Sequence, residues 1–123
     1  MQPDLNPFFD AYRDSFVHGA EAIAAFYAEP CITARAGVVR VNPSHDATTA
    51  IFREVDKQYR ARGFTHGDYV LMESQNVGAN SAFATLRWSY KDAAGNTLWE
   101  TTFSYNLYRQ ANGWKILLQT MHD

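Results

Sequence analysis

The sequence predicts an α+β domain in which three helices from the N-terminal half pack on one face of an antiparallel sheet. Three observations carry this. Apolar residues recur at helical spacing up to about residue 62, the period changes to two from Phe64 onward, and turn clusters cut the second half into strands of similar length. A chain of 123 residues suits one domain over 1–123 and buries enough surface to fold without a covalent staple.

Asn6-Pro7 reads as a helix start, with Asn as cap, Pro at the first helical position and Asp10 near the positive end. Phe9, Tyr12 and Phe16 form its apolar face, and Gly19 stops it. A second, shorter helix is predicted from about Ala20 to Ala28, with Ile23, Phe26 and Tyr27 inward and Pro30 ending it. Cys31 to Val41 reads as a β-hairpin, Cys-Ile-Thr-Ala-Arg then Val-Val-Arg-Val, turning at Ala36-Gly37. Ser44 with Asp46 opens a third helix to about Arg62 whose buried stripe is Ile51, Phe52, Val55 and Tyr59; Gly63 closes it. Strands at roughly 65–76, 80–91, 97–109 and 113–122 then form a meander, with turns at Asp92–Asn96 and Gln110–Gly113.

The central pair has a definite register. Pairing Asp92 with Thr97 sets Leu86 opposite Phe103, Trp88 opposite Thr101 and Tyr90 opposite Trp99. One face is then apolar, and the other carries Thr85, Arg87, Ser89, Glu100, Thr102, Ser104 and Asn106. A slip of one residue would bury that polar set. The last strand is ambiguous. Trp114, Ile116, Leu118, Thr120 and His122 share one side, Lys115, Leu117, Gln119, Met121 and Asp123 the other, and both sides are partly apolar.

Composition narrows the function. The net charge is −2 and the basic residues are scattered, so nothing builds the positive field a nucleic-acid partner requires. No apolar run approaches the ~20 residues that span a bilayer, so no membrane role is expected. The N-terminal Met-Gln-Pro-Asp-Leu-Asn-Pro lacks the basic-then-apolar pattern of a signal peptide, and the single Cys31 forms no internal disulfide. Both point to the cytoplasm. There is no phosphate-binding glycine loop and no paired-cysteine spacing, and His18, His45, His66 and His122 share no ligand spacing, so neither a metal nor a cofactor is expected. Aromatic residues make up 15% of the chain, a surplus that signals a large core, an interface or a cavity wall.

Tyr12 followed by Gly19, then Ala-Ile-Ala-Ala-Phe-Tyr-Ala-Glu-Pro, a hairpin, a helix and a final Gly113-Trp114-Lys115-Ile116 resembles the nuclear-transport-factor-2-like superfamily, in its SnoaL-like and ketosteroid-isomerase-like branch. The resemblance spans nearly the whole chain and implies a cone-shaped curved sheet with helices over one face, the cystatin-like fold. It also implies dimerisation through the outer sheet face. By position, Tyr12 falls where the isomerase has its oxyanion tyrosine, Tyr105 where it holds a second, protonated donor, and Tyr27 at a supporting tyrosine. Where the isomerase has its catalytic aspartate, this chain has Arg35. Arginine stays protonated and abstracts no proton from carbon, so the isomerase mechanism does not carry over.

The candidate site follows. Arg35 alternates with Cys31 and Thr33 along the hairpin. Either it enters the cone as a clamp for an anionic or carbonyl-bearing ligand, or it leans out to a surface carboxylate. Tyr12 and Tyr105 either donate into a cavity or pack as core tyrosines. Tyr27, Thr33, Phe16, Phe52, Trp88 and Phe103 complete the candidate wall, with Gln119 at the mouth. His122 becomes a candidate base if its side of the last strand faces inward, and Asp123 if the other does. Two function classes remain open. One is a small-molecule-binding or dimerising domain without catalysis; the other is an isomerase, dehydratase or cyclase acting on a small carbonyl compound. The outer face is either a homodimer surface or a solvated sheet face.

Overall fold

A computed structural model describes residues 4–122. Its elements run α1 (Asn6–Ser15), α2 (Ala20–Ala24), β1 (Tyr27–Arg35), β2 (Val38–Asn42), α3 (His45–Ala61), β3 (His66–Asn76), β4 (Ser81–Lys91), β5 (Thr97–Gln110) and β6 (Gly113–Met121). The six strands form one sheet in the order β2-β1-β6-β5-β4-β3. The helices cover one face of it, as the sequence predicts.

Helix ends follow local chemistry. Ser44 caps α3, its Oγ accepting from the Ala47 N–H at 3.2 Å, which satisfies one of the orphan donors of the first turn. At α1 the expected Asn cap is not used. Asn6 lies inside the helix and Leu5 stands at the cap position, while the Asp4 carboxylate accepts from the Asn6 N–H at 2.9 Å. Gly19, at φ +100° and ψ −179°, turns the chain between α1 and α2 through a conformation that side-chain-bearing residues rarely adopt.

α2 is shorter than predicted. It stops at Ala24, and Tyr27 already belongs to β1, opposite Ile116. Pro30 therefore lies within a strand and does not end a helix. The pairing responsible is long-range: β1 runs parallel to β6, with Thr33 opposite Gln119, so the sheet is mixed where hairpin logic predicts antiparallel neighbours throughout. Strand contacts between residues some 90 positions apart override the local helical pattern of Phe26-Tyr27-Ala28.

The β4–β5 register is the predicted one, with Leu86 opposite Phe103, Trp88 opposite Thr101 and Tyr90 opposite Trp99. At its end Lys91, not Asp92, meets Thr97, because Leu98 is left over as a bulge. A second bulge resolves the parity of β6. Leu107 pairs with Ile116 but Asn106 with Leu118, so Leu117 is the extra residue. Ile116 and Gln119 are consequently both buried although they differ in parity. One continuous core joins Phe9, Tyr12, Ile23, Tyr27 and Phe52 to Leu86, Trp88, Phe103, Tyr105 and Ile116 of the sheet.

Candidate ligand-binding site

The helices leave a cavity over the inner sheet face. Its walls come from Phe16 and Ile23, from Phe52, Val55, Asp56 and Tyr59 of α3, from Phe64, and from Arg35, Trp88, Tyr90, Phe103, Tyr105 and Gln119 of the strands. The free space between these walls, mouth included, is about 400 Å³, of which about 20 Å³ has room for a solvent molecule. The resting interior thus has room for no more than about one water. A larger occupant has to part the aromatic walls.

Arg35 lies at the end of β1, half-buried. Its Nη2 donates to Tyr59 Oη at 3.0 Å, and its guanidinium carbon is 5.4 Å from the centre of the Phe103 ring. Among the described residues no carboxylate pairs with it, whereas Arg13, Arg53 and Arg60 each have at least one. The outward reading, a surface ion pair, is not what the structure shows. Burial disfavours the charge on Arg35, but surrounding tyrosine oxygens, Tyr59 foremost, outweigh that and hold its pKa above an ordinary arginine's.

Beneath the cavity runs a buried polar chain. The Tyr12 and Tyr27 hydroxyls are hydrogen-bonded to each other, and Gln119 Nε2 donates to Tyr27 Oη at 2.9 Å. Gln119 Oε1 is buried with no partner. In parallel, Trp88 Nε1 donates to Tyr105 Oη at 2.9 Å. Burial raises the pKa of Tyr12, Tyr27 and Tyr105 well above the usual tyrosine value, so all three stay neutral and serve as hydrogen-bonding groups rather than bases.

The structure brings together Phe16, Arg35, Phe52, Trp88, Phe103, Tyr105 and Gln119 from the sequence-derived set. Tyr12 and Tyr27 stand behind the wall, fully buried and satisfied by each other. Thr33 faces inward, but its Oγ1 meets Asn42 Nδ2 at 3.4 Å and does not line the cavity. His122 is a correction: the Leu117 bulge turns the strand end so that its Nε2 meets Ser104 Oγ at 2.7 Å on the outer face, away from the site. Asp123 lies outside the described residues.

Ile23, Val55, Asp56, Tyr59, Phe64 and Tyr90 line the cavity without having been assigned to it. Tyr59 was findable, because a hydroxyl on an otherwise apolar α3 stripe invites a polar partner inside. Asp56 sits at the mouth, and its carboxylate accepts from Arg60 Nε at 3.0 and 3.1 Å. Among the described residues no group of three His, Cys, Asp or Glu is placed to hold a metal, and no helix is long and apolar enough to cross a membrane.

A helix-covered curved sheet with an aromatic-rich interior defines an NTF2-like domain of cystatin-like fold. The sequence profile of the family described as NTF2-like protein (DUF6841) matches residues 3–123; the chain belongs to that family. Among curated proteins none matches significantly. Solved structures share the fold. An NTF2-like protein of unknown function from Shewanella oneidensis superposes with TM-score 0.75 at 17% identity, covering 97% of this chain and 96% of that one. An NTF2-like protein with a cystatin-like fold from Novosphingobium aromaticivorans gives 0.70 at 16%, covering 95% and 77%. A putative calcium/calmodulin-dependent protein kinase II association domain from Xanthomonas campestris gives 0.70 at 13%, covering 95% and 83%.

Proposed function

We propose that this domain binds a small apolar molecule bearing a carbonyl or acidic group inside the cone, with Arg35 as clamp and the Tyr105 hydroxyl as a further polar contact. The observation that carries the reading is the Arg35 guanidinium, set in an aromatic cavity with a hydrogen bond to one hydroxyl and no contact with a carboxylate among the described residues. A partly desolvated charge without a counterion is costly, and an incoming carboxylate removes that cost while forming charge-assisted hydrogen bonds. Trp88, Phe103 and Phe52 supply apolar contact. The small resting space implies that α3 shifts at Val55 and Tyr59 when ligand enters. The reading sets the domain in the cytoplasm, where the thiol of Cys31 stays reduced.

The test is thermal unfolding of wild type and Arg35→Met with benzoate, phenylacetate and 4-phenylbutyrate. Ligand at a hundred times its Kd adds about 2.7 kcal/mol, a rise of roughly 10 °C for a domain of this size. The account expects that rise in wild type and its loss in the variant; equal shifts in both would end the clamp assignment.

A second reading, an isomerase, dehydratase or cyclase on a small carbonyl compound, is favoured by one observation. Asp56 lines the cavity mouth and is the only carboxylate there among the described residues. Its engagement by Arg60 leaves it without the contact to Tyr12 or Tyr105 that a shared proton-transfer site needs, so binding without catalysis is the better-supported reading.

The homodimer assignment also belongs here. The polar outer residues Thr85, Arg87, Ser89, Glu100, Thr102 and Ser104 adjoin an apolar stretch that sequence reasoning overlooked. Ile32, Val39, Val41 and Leu117 are exposed, and Ile32, Val41, Leu117 and Leu118 line one groove. A second copy is the occupant this surface fits, in keeping with the association role in the name of the Xanthomonas neighbour. Light scattering on the purified chain is expected to give twice the monomer mass, and Ile32→Asp with Val41→Asp to give the monomer. A monomeric wild type at high concentration contradicts the assignment.

A further inference from the structure

Resting on the binding reading above, we infer that the natural ligand carries, besides its acidic or carbonyl end, a hydroxyl group that Gln119 receives. Gln119 is only 2% exposed and lines the cavity. One end of its amide is committed to Tyr27 and the other has no partner. The amide can turn about its last bond with no steric change, exchanging which of its oxygen and nitrogen meets Tyr27. In either orientation one end stays unpartnered, because the Tyr27 hydroxyl is the one polar group the amide meets. A hydroxyl both donates and accepts, so it satisfies whichever end is presented.

Placement adds a length. Gln119 is the strand partner of Thr33, and Arg35 lies two residues further along β1 on the same side. Strand geometry puts that step at roughly 6.6 Å along β1 and about 4.8 Å across to β6, so the two positions are diagonal neighbours about 8 Å apart. Positions this close let one ring-sized molecule meet both side chains, and the rings of Trp88, Phe103 and Tyr105 in the same cavity give it apolar walls. The class is a hydroxylated aromatic or similarly flat apolar acid.

The experiment is calorimetric titration of the full chain with two matched pairs, 4-hydroxyphenylacetate against phenylacetate and 4-hydroxybenzoate against benzoate. The hydroxylated member is expected to bind wild type roughly tenfold tighter, the effect of one added hydrogen bond. Gln119→Leu should reduce that ratio to about one while both acids keep their dependence on Arg35. Since Gln119→Leu strips a partner from Tyr27 and Tyr27→Phe would strip one from Tyr12, Tyr12→Phe/Tyr27→Phe/Gln119→Leu removes the whole polar chain together, keeps the packing and should give the same ratio. If the paired acids bind wild type equally, a trapped water is what satisfies Gln119, and this inference falls while the binding reading stands. If no acid of either pair binds wild type, the binding reading fails and takes this one with it.

Discussion

Trp88→Ala is expected to destabilise the domain by about 3–5 kcal/mol, the range for removing a large aromatic from a closed core. Trp88 is 1% exposed. Its indole stacks on Phe16 at 5.5 Å and 18°, meets Tyr12 edge-on at 5.9 Å, and lies 5.5 Å from Tyr69. Truncation leaves a void between α1 and the sheet and takes away the donor to Tyr105 Oη. Urea midpoints measure the loss. Trp88→Phe keeps most of the packing and deletes the N–H, so it should cost less than half as much. A loss below about 1 kcal/mol for the alanine variant would mean that the walls collapse into the space and that the cone is not held open by its aromatics.

The second large effect is alkaline instability. Burial raises the pKa of Tyr12, Tyr27 and Tyr105 well above the ordinary value, whereas in the unfolded chain each ionises near pH 10. The folded state keeps three protons that the unfolded state releases. Their contribution to stability is complete below pH 10 and is lost as pH rises beyond it toward the folded values. Linkage sets the slope at about 1.4 kcal/mol per pH unit for each group, or roughly 4 for the three. Denaturant midpoints taken between pH 9 and 11 should fall steeply, with a burst of tyrosinate absorbance on unfolding. Stability that is flat over that interval, with all seven tyrosines titrating in the folded protein, would show that these hydroxyls reach water.

Some of this architecture is written locally in the chain, and some of it is not. The inner face of β4 and β5 was legible because alternation over eleven and fourteen residues leaves one register that buries no charge. The cap at Ser44 was legible because a serine before an acidic first turn offers an acceptor where the helix needs one. The start of β1 was not. Phe26-Tyr27-Ala28 continues a helical pattern and Pro30 mimics its stop, while the parallel pairing of Tyr27 with Ile116 leaves no trace in neighbouring residues. β6 showed a different failure. Both parities were correct for half a strand each, and the bulge at Leu117 that joins them is invisible to a strict period of two.

The site was legible to the same extent. Arg35 and Tyr105 follow from strand alternation once Thr33 and Phe103 are known to face inward. Gln119 could be placed only at the mouth, because the bulge decides its side. His122 goes to the outer face for the same reason. Tyr59 follows from its place on the inward stripe of α3, whereas Asp56 reaches the cavity through the way α3 lies on the sheet, which no single helix specifies.

The most direct measurement is the Arg35 Nε–Hε resonance of isotopically labelled protein during titration with 4-hydroxyphenylacetate, assigned by its loss in Arg35→Met. Seating of a carboxylate on that guanidinium should move the signal downfield and slow its exchange with water, alongside shifts at Gln119 and Tyr59. An Arg35 signal that stays fixed while residues of the outer sheet respond would contradict the account.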